Sequence, residues 1–238
     1  MKKLIKIISL VLALALAAAA LVSCGKKDVE EPDVPDGPLS GGWQFSDKSV
    51  SDVTDEEKAV FDKALEELVG ATHVPKSVIA TQLVAGTNYA YLCISTPVVP
   101  NATSYWSIVT VYKDLGGNVE LIGIEEIDGA NVKITSGGAG EMTGAWSVRA
   151  KDKGISVSDA VDSALENHVG VNIVPVAVLA TQVVAGTNYR ILACGTVVSA
   201  EPVSYLYVID VYASLDGKAE ITSIGIFDLV SYIYPPVE

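Results

Sequence analysis

The sequence of 238 residues contains few of the side chains that build metal centres and disulfide frameworks. It has two His and three Cys, and their positions form no CxxC, no HExxH and no cluster with metal-ligand spacing. Basic residues are also in the minority, because 16 Lys and Arg stand against 29 Asp and Glu and give a net charge of −13. These shortages argue against structural zinc, a disulfide framework and a nucleic-acid partner, and we expect no cofactor.

Residues 1–23 have the layout of a secretory signal. Three Lys precede an apolar run at residues 7–22, and an uncleaved membrane span is the alternative interpretation. The run ends in LVSC at residues 21–24, which resembles the bacterial lipobox. This resemblance implies a lipoprotein that is secreted through the inner membrane, is cut before Cys24 and is anchored by a lipid on Cys24, on the periplasmic or the cell-surface side.

Residues 24–40 contain mostly Lys, Asp, Glu, Pro and Gly and few large apolar side chains. Such a segment cannot bury enough apolar surface to offset the entropy of ordering. We interpret it as an acidic tether between the predicted lipid anchor and the rest of the chain.

The rest of the sequence repeats itself after one hundred residues. Residues 81–89 read TQLVAGTNY, and residues 181–189 read TQVVAGTNY. The same offset holds without a gap between residues 62–128 and 162–228, where nearly half of the positions are identical. This self-similarity indicates a tandem duplication.

The duplication defines the predicted domains. Upstream of the ungapped match, GGW at residues 41–43 corresponds to GAW at residues 144–146. We expect one domain at residues 41–128 (repeat 1) and a second at residues 144–238 (repeat 2). A glycine-rich linker at residues 129–143 would join them.

Each repeat begins with a helix pattern and continues with strand patterns. Residues 54–57 read TDEE, a capping box, and apolar residues then recur at helical spacing until Gly70. Segments rich in Val, Ile, Thr and Tyr then predict strands at residues 78–83, 87–95, 105–113 and 119–127. We expect an α+β fold with two tandem domains, each with one helix packed across a four- to five-stranded antiparallel sheet.

The turn between the first two strands of each repeat is unusually apolar. A hairpin tip ordinarily carries Asn-Gly or Asp-Gly, whereas these read QLVAG at residues 82–86 and QVVAG at 182–186. An exposed tip of this composition indicates a surface that a partner covers. Alternatively, these residues continue a buried strand and the turn lies elsewhere.

At these residues the sequence resembles the cystatin superfamily of cysteine-peptidase inhibitors. The hairpin motif of that family is Gln-x-Val-x-Gly, usually followed by Thr-Asn-Tyr, and both repeats contain it. Gly41 and Gly42 lie where the family has an inhibitory N-terminal glycine, and Gly144 is the looser counterpart in repeat 2. The second hairpin of each repeat departs from the family pattern, because it lacks the frequent Pro-Trp pair.

The resemblance implies a non-covalent wedge that fills the active-site cleft of a papain-like cysteine peptidase. The protein would then be a peptidase inhibitor with a protein partner, a lipid-anchored membrane attachment, no small-molecule substrate and no enzymatic activity. The alternative is a non-inhibitory binding or adhesion module on the bacterial surface. The implied peptidase-binding residues are Gly41, Gly42, Gln82, Leu83, Val84, Ala85, Gly86, Leu115, Gly116 and Gly117 in repeat 1, and Gly144, Gln182, Val183, Val184, Ala185, Gly186, Leu215, Asp216 and Gly217 in repeat 2.

Other candidate residues have simpler interpretations. His73 and His168 do not correspond in the duplication, and each lacks a duplicated catalytic partner. Cys93 and Cys194 differ by 101 positions, so alternation along a strand predicts that they lie on opposite faces of their sheets. The acidic residues of the predicted helix have the spacing of a solvated face.

The second predicted strand of repeat 1 is apolar on both faces. Tyr89, Tyr91 and Cys93 alternate with Leu92 and Ile94. A solvated outer face would be more polar. We expect the face with Leu92 and Ile94 to be covered by the other repeat, by residues 233–237 or by a second molecule.

Overall fold

A computed structural model describes residues 42–46, 53–137, 146–148 and 157–234. Its helices are α1 (Asp55–Ala64), α2 (Asp159–Glu166) and α3 (Leu229–Ile233). The strands of repeat 1 are β1 (Gln44–Phe45), β2 (Ala71–Val84), β3 (Gly86–Pro97), β4 (Tyr105–Asp114) and β5 (Val119–Ile127). The remaining strands are β6 (Ile134–Gly137), β7 (Ser147–Val148), β8 (Val171–Val184), β9 (Gly186–Val197), β10 (Ser204–Ser214) and β11 (Ala219–Phe227).

The expected α+β class is wrong, because the chain is a β-rich protein with short helices. It forms two antiparallel sheets, with the strand orders β1-β2-β3-β4-β5 in the first sheet and β6-β11-β10-β9-β8-β7 in the second. The longest helix in the described part of the chain has ten residues, whereas β2 and β8 have fourteen each. The predicted pair of separate helix-across-sheet domains is therefore replaced by two long sheets.

Helix α1 is shorter than the spacing of apolar residues in the sequence predicts. Its predicted capping box is present, because Thr54 accepts from the Glu57 amide and the Glu57 carboxylate accepts from the Thr54 amide. The helix ends at Ala64, however, and buries only Val60 and Phe61. Leu68 and Val69, which continue the helical spacing in the sequence, lie exposed in the turn that leads into β2.

Strand β2 begins seven residues earlier than the predicted strand. It includes Pro75, which lies before the predicted strand at residues 78–83. The pairing of β2 with β3 shifts its register between Pro75 and Ser77. A proline has no amide hydrogen to donate, and such an irregularity accommodates it within a strand.

The two sheets pack face to face and share the largest of the three hydrophobic clusters among the described residues. The indole of Trp106 in β4 also donates a 3.1 Å hydrogen bond to the carbonyl oxygen of Val178 in β8. The cluster takes Ile79, Leu92, Trp106 and Ile108 from the first sheet, Leu179, Leu192, Leu206 and Val208 from the second, and Leu229, Tyr232 and Ile233 from α3.

This shared cluster confirms the expectation that the outer face of the first sheet is covered. Of the three expected coverings, the other repeat lies against this face, and so does Ile233 from the segment 233–237, of which residues 235–237 lie outside the described residues. Leu92 is fully buried there, and Ile94 packs against the cluster. The opposite faces of the sheets carry the two smaller clusters, which include side chains of α1 and α2. Burial between the sheets therefore supplies a large part of the hydrophobic stabilisation, in addition to the smaller cluster beneath the helix of each repeat.

The two cysteines lie on opposite faces, as predicted. Cys194 belongs to the cluster shared by the two sheets, and Cys93 belongs to the cluster beneath α1. Both thiols are buried, and burial raises the pKa of Cys93. Among the described residues, no helix is long and apolar enough to cross a membrane.

Candidate functional site

Each sheet presents two hairpin tips side by side at one end. In the first sheet, β2 and β3 turn at Ala85, because Val84 is paired with Gly86. Gly86 is in turn paired with Asp114, the last residue of β4. The second hairpin, which joins β4 to β5, therefore starts beside the first. We call residues 83–85 and 183–185 the first tips, residues 115–117 and 215–217 the second tips, and the pair of tips on one sheet a head.

The apolar side chains of both heads are exposed to solvent. The exposed fractions of Leu83 and Leu115 are 74% and 88%, and those of Val183 and Leu215 are 84% and 86%. Val84 and Val184 are also exposed. The first tips are thus true turns rather than continuations of buried strands, and the opposite repeat covers neither head.

Glycine fixes the geometry of the first tips. Gly86 and Gly186 both have a φ of +135°, a region that residues with a side chain rarely adopt. A Cβ atom on Gly86 would also overlap the carbonyl oxygen of Lys113 and the ring of Tyr112. These two glycines are buried under the neighbouring strand. The glycines set the backbone conformation of the turn, and the exposed surface is formed by residues 83–85 and 183–185.

Two hydrogen bonds in each repeat hold the first tip in place. The phenol of Tyr112 donates to the carbonyl oxygen of Ala85 over 2.6 Å, and Tyr212 donates to Ala185 over 2.5 Å. The side-chain amide of Asn88 donates to Gln82 over 2.8 Å, and Asn188 donates to Gln182 over the same distance. The glutamines thus support the tips, and Gln182 is buried.

The second tips are closed by local hydrogen bonds. In repeat 1, the backbone amide and the side-chain amide of Asn118 donate to the carboxylate of Asp114 over 2.8 and 2.7 Å. The side-chain donor, followed by the backbone one, holds the pKa of Asp114 below its ordinary value. In repeat 2, Asp216 lies near Lys218, with 3.0 Å between carboxylate and ammonium. Each second tip therefore places a negative charge beside its exposed leucine.

The segment that precedes each sheet reaches the same end. Gln44 of β1 is paired with Thr81, and Ser147 of β7 is paired with Thr181. Because the strands are antiparallel, continuing the first register by two residues places Gly42 beside Leu83. Gly41, Gly144 and Cys24 lie outside the described residues.

With this geometry established, the sequence comparisons identify no family. No protein-family model matches the chain, and no curated protein matches it. The resemblance to the cystatin superfamily therefore stays a prediction from the motif residues.

His73 and the two cysteines are distant from the heads in the pairing scheme. The Nδ1 atom of His73 lies 2.6 Å from the Ser95 hydroxyl, which lies 2.6 Å from the Ser107 hydroxyl. Both serines are fully buried, and burial lowers the pKa of His73. Within the described part of the chain, no three His, Cys, Asp or Glu side chains are grouped to hold a metal ion.

Sequence reasoning missed the tyrosines and asparagines that support the tips. Tyr112 and Tyr212 were visible only as matched positions of the duplication, and Asn88 and Asn188 only as part of the repeated segment. Their retention in both repeats was the available signal. Their roles depend on pairing across strands, because Asn88 lies opposite Gln82 and Tyr112 lies opposite Asn88.

Proposed function

We propose that this protein is a non-covalent inhibitor of papain-like cysteine peptidases. The observation that carries the proposal is the head: two exposed apolar tips side by side at one end of a rigid sheet, in both repeats. A wedge of this kind fills an active-site cleft that is shaped for an extended chain, and the cystatin-like motif lies on its first tip.

A partner is expected to bind the tips because exposure of their apolar side chains to water costs free energy. Burial of apolar surface gains about 25 cal/mol per Å². Leu83, Val84 and Leu115 are exposed in the free protein and so do not contribute this free energy. An exposed apolar patch of this kind is typical of an interaction site. A partner that buries the patch would gain this free energy on binding.

Preorganisation favours tight binding by this surface. The tyrosine and asparagine hydrogen bonds and the glycine turn fix the first tip before a partner arrives. A rigid loop loses little conformational entropy on binding, so more of its contact energy remains as affinity. The tips carry aliphatic side chains and backbone, which suits a blocking role rather than a reaction with the peptidase.

The location of the protein belongs to the same proposal. We infer from the sequence of residues 1–24 that the chain is secreted as a lipoprotein and anchored through acylated Cys24, facing the periplasm or the outside of the cell. Such a position would expose the heads to secreted peptidases. Labelling with a radioactive fatty acid, lost on Cys24→Ser, is the corresponding measurement.

The test is a titration of papain activity with the soluble chain from Gly25. We compare it with a double variant, Val84→Asp with Val184→Asp, which places a charge on each first tip. The matched control is Val98→Asp with Val198→Asp, because these valines are also exposed but lie at the other ends of β3 and β9. The proposal predicts inhibition by the wild type and the control and none by the tip variant.

Two results would contradict the proposal. The first is a folded wild-type chain that does not inhibit papain at micromolar concentration, which would favour the non-inhibitory binding module. The second is equal inhibition by the tip variant and the wild type, which would place the working surface elsewhere.

A further inference from the structure

The two sheets are joined by hydrogen bonds as well as by the shared hydrophobic cluster. The indole of Trp106 in β4 donates to the carbonyl oxygen of Val178 in β8. The guanidinium of Arg190 in β9 donates to the carbonyl oxygen of Ala130, which follows β5. Side chains packed at interior density resist displacement. The sheets therefore hold the two heads at a fixed relative orientation.

Two contacts between the sheets define this orientation. The first is the hydrogen bond between Trp106 and Val178. The second lies between the rings of Phe45 in β1 and Tyr205 in β10, whose centroids are 6.2 Å apart. Each head marks one end of its sheet, so the strand register gives the distance of each contact from each head.

In the first sheet, the second contact lies nearer to the head than the first contact does. Trp106 is paired with Ile94, and Phe45 is paired with Ala80, which is paired with Ala90. Along β3, Ala90 is four residues closer to the first tip than Ile94 is. The step from the first contact to the second therefore approaches the head of repeat 1 by about 13 Å.

In the second sheet, the same step leads away from the head. Val178 is paired with Ile191, and Tyr205 is paired with Gly195. Along β9, Gly195 is four residues farther from the first tip than Ile191 is. The step therefore recedes from the head of repeat 2 by about 13 Å. A step that approaches one head and recedes from the other shows that the heads diverge.

The strand spacing converts this divergence into an angle. The step crosses three strand positions in the first sheet and two in the second, or about 14 and 10 Å across the strands. It therefore runs about 50° from the direction in which the head of repeat 1 points and about 145° from that of the head of repeat 2. The two directions then differ by at least about 95°.

Heads that diverge in this way have room for two large partners. The register places the head of repeat 1 about 27 Å and the head of repeat 2 about 17 Å from the first contact. A globular partner of about 200 residues is about 43 Å across, so its centre lies about 21 Å beyond the head that it covers. The centres of two such partners are then at least about 60 Å apart, which exceeds the diameter of either.

We infer that one chain holds two papain-like peptidases at once, one on each head, and that the two bound peptidases do not touch. This inference rests on the proposed function and adds the number and arrangement of the partners. Each cleft is filled by its own head, so occupation of one head neither assists nor blocks the other. A monomeric peptidase gains no avidity from the second head. The chain instead holds two peptidase molecules at a fixed separation.

The test counts papain molecules per chain. Sedimentation velocity with excess papain gives the mass of the saturated complex formed by the soluble chain from Gly25. Leu83→Asp with Val84→Asp leaves only the head of repeat 2, and Val183→Asp with Val184→Asp leaves only the head of repeat 1. The inference predicts two papain molecules on the wild type and one on each variant. The matched control, Val98→Asp with Val198→Asp, should still bind two.

The outcomes separate this inference from the proposed function. A wild-type chain that binds only one papain molecule at saturation would overturn the inference and leave the proposed function intact. Absence of papain binding by the folded wild type would overturn both. Dissociation constants for the two single-head variants that fail to reproduce the wild-type titration as independent sites would also overturn the inference, because they would show that the heads influence each other.

A second measurement tests the arrangement itself. Small-angle X-ray scattering of the saturated wild-type complex reports the separation between the two papain molecules. The inference predicts centres at least about 60 Å apart. A separation of about 43 Å, which would place the two papain molecules in contact, would overturn the divergent arrangement of the heads.

Discussion

The phenol of Tyr112 donates a 2.6 Å hydrogen bond to the carbonyl oxygen of Ala85. This bond joins the strand that leads to the second tip with the turn of the first tip. Tyr212 and Ala185 repeat it in the other half of the chain. The two tips of a head are therefore held in a fixed position relative to each other. Together they form a preformed apolar edge.

Removal of this bond should reduce binding more than folding. For Tyr112→Phe with Tyr212→Phe we expect a loss of about 1 kcal/mol in binding free energy, because the tip would have to order itself on the partner. The melting temperature should change little, since the phenol groups lie at the surface. Titration calorimetry with papain and a thermal melt provide the two measurements. An unchanged affinity would show that the bond does not order the tip.

The glycine that follows the first tip should tolerate substitution much less than Gly117 of the second tip. Gly86→Ala places a Cβ atom against the backbone of Lys113 at a φ of +135°, and we expect a loss of at least about 2 kcal/mol in unfolding free energy. Gly117 has a φ of +84° with open space around it, so Gly117→Ala should cost about 1 kcal/mol. Urea denaturation measures both. Equal losses would contradict the packing argument.

The strands of repeat 1 and the start of α1 were largely predictable, whereas the end of α1 and the overall architecture were not. Alternation and β-branched composition located β3, β4 and β5 to within two residues. The end of α1 was missed because Leu68 and Val69 keep the helical spacing while lying in an exposed turn. Local patterns do not distinguish an apolar turn from a further helical turn.

Local sequence patterns could not predict how the two repeats pack together, for a different reason. The apolar character of Leu92 and Ile94 indicated a covered face, but three coverings were compatible with it. The face-to-face packing depends on contacts between residues about one hundred positions apart, such as Trp106 with Val178. The first tip was predictable from its composition, and its supporting tyrosines required the strand register.

Because the sheets share a core, the two repeats should unfold together. Leu192 is fully buried between the sheets, and Leu192→Ala should lower the unfolding free energy by about 3 kcal/mol. Leu215→Ala, at an exposed tip, should leave it unchanged and serves as the control. Tryptophan fluorescence and far-ultraviolet circular dichroism should give coincident transitions. Two separate transitions would show that each repeat is stable alone.

Arg190 and Asp210 form a buried ion pair with 2.8 Å between the charged groups, and repeat 1 provides a matched substitution for it. Arg190→Ala leaves Asp210 buried without its partner, and we expect a loss of about 3–5 kcal/mol in unfolding free energy. Adding Asp210→Thr reproduces the Ala90 and Thr110 pair of repeat 1 and should recover much of that loss. Chemical denaturation of both variants makes the comparison. A double variant as unstable as the single one would show that other contacts of Arg190 dominate.

The central claim is that the heads occupy the active-site cleft of the peptidase without reacting with it. One comparison of binding affinities tests this claim most directly. We would measure the dissociation constant of the soluble chain for two inactive forms of papain, one alkylated on its catalytic cysteine by a small reagent and one whose cleft is filled by a bulky covalent peptidyl inhibitor. The account predicts that the alkylated enzyme still binds, because the tips need the cleft and not the thiol. It also predicts that the filled enzyme does not bind. Equal binding to both forms would contradict the account, because the heads would then contact a surface outside the cleft.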